Sequence, residues 1–294
     1  MSAWTEISAQ ISSSERISFA VEKAAPIGGG CINRAHRVEG GGRRFFVKLN
    51  SAPAVAMFEA EAAGLREILA TGTLRAPAPI CWGKNNVEAW LVLEYLEMND
   101  TGPSDAAAFG RGLAAMHRFS SQEFGWERDN TIGSTPQNNK FSSNWVRFWR
   151  ECRLGYQLQL AKANGYSGRL QKQGEQLMGQ LDCFFPASQP VPSLLHGDLW
   201  AGNYGFDAWA RPVVFDPAVY YGDRETDIAM TELFGGFPGA FYAAYREAYP
   251  LEPEYETRKT LYNLYHILNH LNLFGGGYLS QTEQMMDRLL AELS

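Results

Sequence analysis

The chain has 294 residues, of which 45% are hydrophobic and 20% charged, as in an ordinary globular protein. A net charge of −6 and the lack of a long basic block argue against a nucleic acid or a membrane surface as partner. No apolar run approaches the ~18 residues of a membrane span, and we expect no secretory leader. Four scattered cysteines without a C-x-x-C pair predict a reducing, cytoplasmic setting rather than a disulfide framework or zinc site.

The N-terminal third has the pattern of an antiparallel sheet. A short helix at 3–14 precedes three predicted strands, near 17–25, 31–38 and 44–49, with glycine triplets between them. A helix follows over about 54–70, because its apolar residues fall on one stripe. Two further strands, near 79–83 and 87–95, complete a predicted sheet of about five strands.

After residue 96 the pattern becomes helical. The sequence therefore predicts an α+β fold of two lobes, a β-rich lobe over 1–96 and a helix-rich lobe over 97–294. Two short β segments, near 193–195 and 203–215, interrupt the second lobe. Its predicted helices lie at 104–119, 141–165, 168–183, 223–234, 238–247, 256–272 and 279–293.

The strongest motif is His196-Gly197-Asp198 with Asn203, or H-G-D-x₄-N, followed by Asp216 after three apolar residues. Phosphoryl transfer from ATP needs an Asp to orient the hydroxyl and accept its proton, and oxygen ligands for Mg²⁺. Asp198 is the candidate base, and Asn203 and Asp216 are the candidate metal ligands. An isolated H-G-D could be only a tight turn, but Asn203 and Asp216 in register argue against that reading.

Lys48 lies on a predicted strand before a helix that carries Glu59 and Glu61. A lysine in this position grips the α- and β-phosphates of ATP and is oriented by a helix Glu. Because Glu59 and Glu61 point ~200° apart on a helix, only one can be the partner. We favour Glu61 and interpret Glu59 as a solvated charge.

Two further segments are candidates for binding the nucleotide. Gly28-Gly29-Gly30 would let backbone N–H groups approach the phosphates, although a simple turn explains it equally well. The connector Glu94-Tyr95-Leu96 follows an apolar strand, and the Glu94 carbonyl and Leu96 amide are candidates for binding adenine. Cys31 lies beside the glycine triplet; most lone cysteines are inert, but we hypothesise that it pairs with its copy in a second chain under oxidation.

The catalytic block resembles the H-R-D-x₄-N loop of protein kinases and the H-G-D-x₄-N loop of aminoglycoside and choline kinases. Asp216-Pro217-Ala218 replaces the D-F-G of protein kinases, which favours the small-molecule branch. Over nearly its whole length the chain resembles the fructosamine kinase family. The segments that carry this resemblance are 129–137, 153–158, 196–203, 215–218 with Tyr221-Gly222, and 233–238.

The resemblance implies ATP-dependent phosphorylation of the 3-hydroxyl of ketosamines (fructosamines, ribulosamines and erythrulosamines) in deglycation. The family's phosphate-loop cysteine matches Cys31. The sequence leaves open free adducts or glycated proteins as targets, and a monomer or a homodimer. A kinase for another small hydroxyl metabolite and a catalytically inactive nucleotide-binding protein are the alternatives. A protein kinase is disfavoured, since no A-P-E-like segment follows Asp216.

A polyol-amine substrate would need polar partners and a flat apolar face. Asp223 and Glu225 are candidates for attracting the amine, although Asp223 could instead cap the helix that begins there. His117 and Asp227 are interpreted as structural, and His196 chiefly as an orienter of the catalytic loop. The candidates for lining the substrate are Trp200, Asn130, Tyr221 and His196, beside Asp198 and Asp216.

Overall fold

A computed structural model describes residues 2–28, 32–99, 105–185 and 189–293. In chain order the elements are α1 (Ala3–Glu15), β1 (Lys23–Ile27), β2 (Arg34–Gly40), β3 (Arg43–Ser51), α2 (Val55–Ala70), β4 (Pro79–Lys84), β5 (Glu88–Glu94), α3 (Ala106–Met116), β6 (Asn130–Ile132), β7 (Thr135–Gln137), α4 (Trp145–Phe148), α5 (Gly155–Ala163), α6 (Arg169–Gly179), β8 (Ser193–Leu195), β9 (Tyr204–Phe206), β10 (Pro212–Val214), β11 (Tyr220–Gly222), α7 (Glu225–Leu233), α8 (Gly239–Ala248), α9 (Tyr255–Phe274) and α10 (Leu279–Ala291).

The chain divides into two compact units. The first comprises Met1–Asp105 and Tyr204–Pro217, and the second comprises Ala106–Asn203 and Ala218–Ser294. This division differs from the predicted single boundary after residue 96, because the chain returns to the first unit through the β9–β10 hairpin. There the Val214 N–H donates to the Arg75 carbonyl at 2.9 Å, and Met98 pairs with Asp207.

The first unit is built on a five-stranded antiparallel sheet, as the sequence predicts, and the strand order is β1-β2-β3-β5-β4. Helix α1 contributes Ile7 and Ile11 to the core, where they join apolar residues of the sheet such as Val47 and Trp90. The first strand begins at Lys23 rather than near 17. The preceding residues bind α1 instead, since the Phe19 amide donates to the Ser12 hydroxyl at 3.0 Å.

The second unit is mainly helical. Helix α3 packs closely on α8, where a Cβ at Gly110 would lie 2.2 Å from the Phe241 carbonyl oxygen, so only glycine allows this approach. The predicted helix at 141–165 is a continuous run in which α4 passes through a π-helical segment, Trp149–Leu154, into α5. Two short antiparallel pairs, β6–β7 and β8–β11, lie in this unit, the second of them directly before the catalytic loop. Across all of the residues described, no helix combines the length and apolarity needed to span a membrane.

Candidate active site

Lys48 forms the centre of a charged cluster in the first unit. Strand β3 buries it to 4% exposure, and its Nζ lies 2.6 Å from Glu61 Oε1 and 2.6 Å from Asp216 Oδ1. Glu61 is therefore the helix partner, as the sequence predicts, whereas Glu59 is exposed.

Burial and charge act in opposite directions on this cluster. Burial lowers the pKa of Lys48, but the carboxylates of Asp216 and Glu61 outweigh it and raise the pKa above its ordinary value. Burial raises the pKa of Glu61, and the Lys48 charge counters that effect. Lys48 thus stays cationic at neutral pH, which suits a group that binds phosphate oxygens.

Asp216 has a backbone conformation that non-glycine residues rarely adopt, with φ at +57°. Its side chain is 47% exposed although one oxygen binds Lys48, so the carboxylate is accessible from solvent. A strained, accessible acid of this kind is typical of a functional position rather than of a structural one.

The connector of the first unit is fixed by a residue that the sequence did not reveal, Arg75. Its guanidinium donates to Glu94 Oε1 at 2.7 Å and lies 3.6 Å from Asp207 on the β9–β10 hairpin. The Glu94 side chain is therefore occupied within the unit, and the predicted adenine contacts through the Glu94 carbonyl and Leu96 amide remain predictions. Tyr95 is half-buried beneath the Arg44 guanidinium.

Of the glycine triplet only Gly28 falls within the described residues. It is exposed, and a Cβ added there would meet nothing within 4 Å. Gly29, Gly30 and Cys31 lie outside the described residues, so the phosphate-loop and redox hypotheses for them remain predictions.

The catalytic loop lies in the second unit and is held by its own backbone and side chains. The Asn203 amide donates to the Asp198 carbonyl at 2.8 Å and to Asp198 Oδ2 at 3.1 Å. The Asp198 N–H donates to His196 Nδ1 at 3.3 Å. Gly197 has φ at +82°, and a Cβ there would lie 2.1 Å from the Ala218 carbonyl oxygen, so only glycine fits. These contacts orient the Asp198 carboxylate.

Asp227 supports this loop from inside the second unit. Its carboxylate accepts the His196 N–H at 2.7 Å and the Gly197 N–H at 2.9 Å, and it lies 3.1 Å from His117 Nε2. Burial alone would raise the pKa of Asp227, but the hydrogen bonds from His117 and Gly197, with the nearby imidazoles, lower it. Burial lowers the pKa of His117, which therefore donates from Nε2 as a neutral ring and accepts the Tyr245 hydroxyl at Nδ1.

His196 and Asn130, two of the candidates for lining the substrate, are buried in the second unit. The His196 side chain is 0% exposed, which fits its orienting role and not a substrate contact. Asn130 is 9% exposed and donates to the Val219 carbonyl at 2.8 Å, so it belongs to the internal hydrogen-bond network.

Asp223 and Glu225 are likewise internal. Asp223 accepts the Glu225 N–H at 3.0 Å and binds the Tyr262 hydroxyl, which fits the helix-cap alternative. Glu225 binds Arg258 at 2.7 Å, and its burial, with the Asp223 charge, raises its pKa to about 7. Both acids are buried, so the interpretation that they attract an amine substrate is wrong.

Trp200 is the substrate candidate with an open face, being 39% exposed. Its ring lies over Gly202, where a Cβ would come within 2.4 Å, and its edge meets Phe234, with 6.3 Å between centroids. Phe234 in turn lies 4.9 Å from the His270 ring, so the aromatic surface is wider than the sequence indicated. Tyr221 is half-buried, and its backbone pairs with Gly125.

Each of the two candidate metal ligands, Asp216 in the first unit and Asn203 in the second, has an oxygen of the kind that a magnesium–nucleotide complex binds. The described residues contain no group of three or more His, Cys, Asp or Glu arranged to hold a metal ion. Mg²⁺ prefers oxygen ligands and is commonly bound by one or two protein groups together with phosphates. The accessible Asp216 carboxylate and the Asn203 amide oxygen are donors of that type.

Comparison with known proteins identifies the family. The sequence model of the fructosamine kinase family matches residues 3–292. A probable ketoamine kinase of Synechocystis sp. is 46% identical, covering 98% of this chain and 97% of its own length. A chloroplastic protein-ribulosamine 3-kinase of Arabidopsis thaliana is 42% identical over 93% of this chain and 84% of its own.

Solved structures agree with the sequence relatives. The crystal structure of a putative fructosamine-3-kinase from Haemophilus somnus superposes with a TM-score of 0.90 and 29% identity, covering 98% of this chain and 97% of its own. An aminoglycoside phosphotransferase in a ternary complex with ADP and hygromycin B shares the fold alone, with a TM-score of 0.65 and 16% identity over 99% of this chain and 97% of its own. The predicted α+β kinase-like fold and the predicted family are therefore confirmed, and this chain belongs to the fructosamine kinase family.

Proposed function

We propose that this chain transfers the γ-phosphoryl group of ATP to the 3-hydroxyl of ketosamines, and that Asp198 is the base. The observation that carries this proposal is the orientation of Asp198 by the Asn203 amide, at 2.8 and 3.1 Å, within a loop that Asp227 holds. Two relatives, a probable ketoamine kinase and a protein-ribulosamine 3-kinase, support ketosamines as the substrate class. A catalytically inactive nucleotide-binding protein would be expected to lack at least one group of the reaction. The chain has all four of them, Lys48, Asp198, Asn203 and Asp216.

The roles of the charged residues follow from their chemistry. Lys48, held by Glu61, binds the nucleotide phosphates as a cation. Asn203 and Asp216 would hold Mg²⁺, which when bound neutralises phosphate charge and orients the terminal phosphoryl group. Asp216 Oδ1 is bound to Lys48 at 2.6 Å, so the other carboxylate oxygen of Asp216 would be the metal ligand.

Asp198 handles the proton of the acceptor. Its carboxylate accepts the proton of the 3-hydroxyl as the new O–P bond forms and the bond from the γ-phosphorus to the β–γ bridging oxygen breaks. The hydrogen bond from Asn203 to Oδ2 orients the carboxylate before the substrate arrives, so little reorganisation accompanies transfer.

Trp200 gives the substrate a flat apolar face beside this base. The carbon-bearing face of a sugar packs on an indole ring, while its hydroxyls remain free to hydrogen-bond. The exposed side of Trp200 and its contact with Phe234 fit that role, and Tyr221 is a further polar candidate. Phosphorylation of the adduct would promote its breakdown, so the proposed reaction serves deglycation in the cytoplasm, by a monomer or a homodimer.

A substrate panel tests the proposal. The purified chain is supplied with ATP, Mg²⁺ and lysine adducts of ribulose, erythrulose or fructose, with choline and an aminoglycoside as controls, and ADP release is measured. We expect turnover with at least one ketosamine and a phosphate at its O3 by ³¹P NMR. Turnover only with choline or the aminoglycoside would instead establish a kinase for another hydroxyl metabolite, and ATP binding without any transfer would establish an inactive protein.

A further inference from the structure

The hairpin formed by β6 and β7 carries buried amide side chains for which the proposed reaction has no direct use. Asn130 on β6 lies opposite Gln137 on β7, and Asn139 comes two residues after Gln137 in the chain. Gln137 is 1% exposed, Asn139 0% and Arg153, on the π-helical segment, also 0%. Burying so many polar groups is unfavourable unless each is hydrogen-bonded, so their partners indicate what they hold.

The amides of the hairpin hold the backbone at residues 218 and 219. The Gln137 side-chain N–H₂ donates to the Ala218 carbonyl at 3.2 Å, and that of Asn130 donates to the Val219 carbonyl at 2.8 Å. Gln137 also donates to Asn130 Oδ1 at 2.8 Å, which joins the two amides into one unit. The hairpin thus binds the backbone of Ala218 and Val219, which come two and three residues after Asp216.

The same backbone lies against the catalytic loop. The Ala218 N–H donates to the His196 carbonyl at 2.8 Å, and the Ala218 carbonyl oxygen occupies the space that a Cβ of Gly197 would need. A displaced Ala218 would therefore move the residues directly before Asp198. The Tyr265 hydroxyl donates to Gln137 Oε1 at 2.8 Å, which fixes the other end of the Gln137 amide.

Arg153 sets the direction of this network. A guanidinium only donates, so Asn139 must turn its Oδ1 towards Arg153, at 2.8 Å from Nη2. The Asn139 N–H₂ then faces Asn130 Oδ1, at 3.0 Å, and the Asn130 N–H₂ is left to face the Val219 carbonyl. Arg153 itself packs against the rings of Tyr220 and Phe148, whose centroids lie 4.0 and 4.6 Å from its guanidinium carbon.

We propose that Gln137 is a positioning residue for phosphoryl transfer: its amide, oriented through Asn130, Asn139 and Arg153, holds the Ala218 carbonyl against Gly197 and so sets the backbone that carries Asp198. This inference rests on the proposed role of Asp198. It assigns the β6–β7 hairpin to the alignment of the base and not to contact with the substrate.

The test compares Gln137→Met with Gln173→Met. Both changes replace a buried amide in the second unit with an apolar side chain of similar length, but Gln173 binds Asp287 on α10 and nothing in the hairpin or the 218–219 backbone. We expect Gln137→Met to lower kcat by about tenfold or more, since small misplacements of a reacting group cost that much, with the KM for ATP changed by less than about threefold. The Gln173→Met variant should keep kcat within about twofold of the original chain.

A second variant, Gln137→Glu, keeps the result decisive if Gln137→Met does not fold. A protonated Glu still donates one hydrogen bond, whereas its carboxylate would repel the Ala218 carbonyl oxygen. The ratio of its kcat to that of the original chain should therefore fall as pH rises from about 5 to 8. A ratio that stays constant, or Gln137→Met with kcat within about threefold of the original, would overturn the proposal.

Intrinsic ATP hydrolysis separates this inference from the substrate assignment. Without an acceptor, water takes the place of the hydroxyl, and the reaction still depends on Asp198 and the nucleotide site. If the original chain phosphorylates no ketosamine but Gln137→Met lowers ATP hydrolysis by about tenfold, the positioning role holds and the substrate assignment fails. If the original chain does phosphorylate a ketosamine but Gln137→Met leaves the rate of ATP hydrolysis unchanged, the substrate assignment holds and the positioning role of Gln137 fails.

Discussion

The two units carry their functional groups in opposite ways. In the first, a buried cation, Lys48, binds two carboxylates directly, Glu61 at 2.6 Å and the exposed Asp216 at 2.6 Å. In the second, the carboxylate of Asp198, the proposed base, lies in a loop that a buried network holds, and Asp227 accepts two backbone N–H groups of that loop. The first unit positions charged groups by ion pairing, and the second positions the proposed base through a hydrogen-bonded backbone.

This difference shows where substitutions should separate binding from chemistry. An ion pair keeps its two groups charged and in place. Loss of an ion pair in the first unit should therefore weaken nucleotide binding and lower the stability of the surrounding fold. A hydrogen-bonded loop fixes geometry, so its loss should slow the chemical step while nucleotide binding survives.

Removing the cation of the first unit should have the largest effect. In Lys48→Met the Glu61 carboxylate stays buried without its partner, so we expect the free energy of unfolding to fall by about 3 kcal/mol. The loss of phosphate binding should lower kcat/KM for ATP by about 10²-fold or more. Thermal melting and steady-state kinetics measure both, with Lys84→Met, on the exposed end of β4, as control. An ATP KM equal to that of the control would contradict the role of Lys48.

Asp227→Asn tests the support of the second unit. An Asn has only one acceptor oxygen, so the His196 and Gly197 N–H groups cannot both keep their partner. We expect kcat to fall about tenfold and stability to fall by about 2 kcal/mol, while the Kd for ATP changes little. Asp182→Asn, an exposed acid of the same unit, is the matched control. If Asp227→Asn instead weakened ATP binding and left kcat unchanged, the proposed difference between the units, binding in the first and chemistry in the second, would be wrong.

Acid should destabilise the second unit through its buried neutral imidazoles. Burial lowers the pKa of His266 from 6.5 to about 3, so below pH 6.5 the unfolded chain takes up a proton that the folded chain resists. This contribution to stability is complete above pH 6.5 and is lost as the pH falls, by up to about 1.4 kcal/mol per pH unit. In His266→Leu the decline of stability between pH 6.5 and 5 should be shallower, as chemical denaturation at several pH values will show. Parallel declines would refute the buried neutral state.

The smallest expected effect concerns the substrate face. In Gly202→Ala the new Cβ would come within 2.4 Å of the Trp200 ring, which must move. Since a ring on a flexible side chain can give way, we expect only a two- to fivefold rise, roughly, in the KM for the ketosamine at unchanged KM for ATP. Gly179→Ala is the control, because a Cβ there meets nothing within 4 Å. Equal values of the ketosamine KM in Gly202→Ala and Gly179→Ala would show that Trp200 does not contact the substrate.

The candidate groups of the reaction could be predicted from the sequence more completely than the groups that position them. Lys48, Glu61, Asp198, Asn203 and Asp216 are candidates because phosphoryl transfer needs those residue types at fixed spacings. The structure brings Lys48 together with Glu61 and Asp216, and Asp198 together with Asn203. The five-stranded sheet also followed from its alternating pattern, with the largest error at the first strand, which is predicted near 17–25 and lies at Lys23–Ile27. Spacing and periodicity are local properties, which a sequence displays directly.

The supports were missed or misassigned because their role depends on contacts between distant segments. Asn130 was predicted to touch substrate, yet its amide binds the Val219 carbonyl, and Glu225 binds Arg258 instead of an amine. Arg75 carried no motif, although it joins the connector to the β9–β10 hairpin. A polar residue that binds a ligand and one that binds a buried carbonyl have the same chemistry, so the residue type alone cannot separate them.

The proposed role of Asp198 is tested most directly by the Asp198→Asn variant, assayed with ATP, Mg²⁺ and the best ketosamine of the panel. We expect kcat to fall by about 10²-fold or more, while the Kd for ATP, measured by calorimetry, stays within about twofold of the original. A variant that still turns over at nearly the original rate would show that another group takes the proton, and the assignment of Asp198 would be wrong.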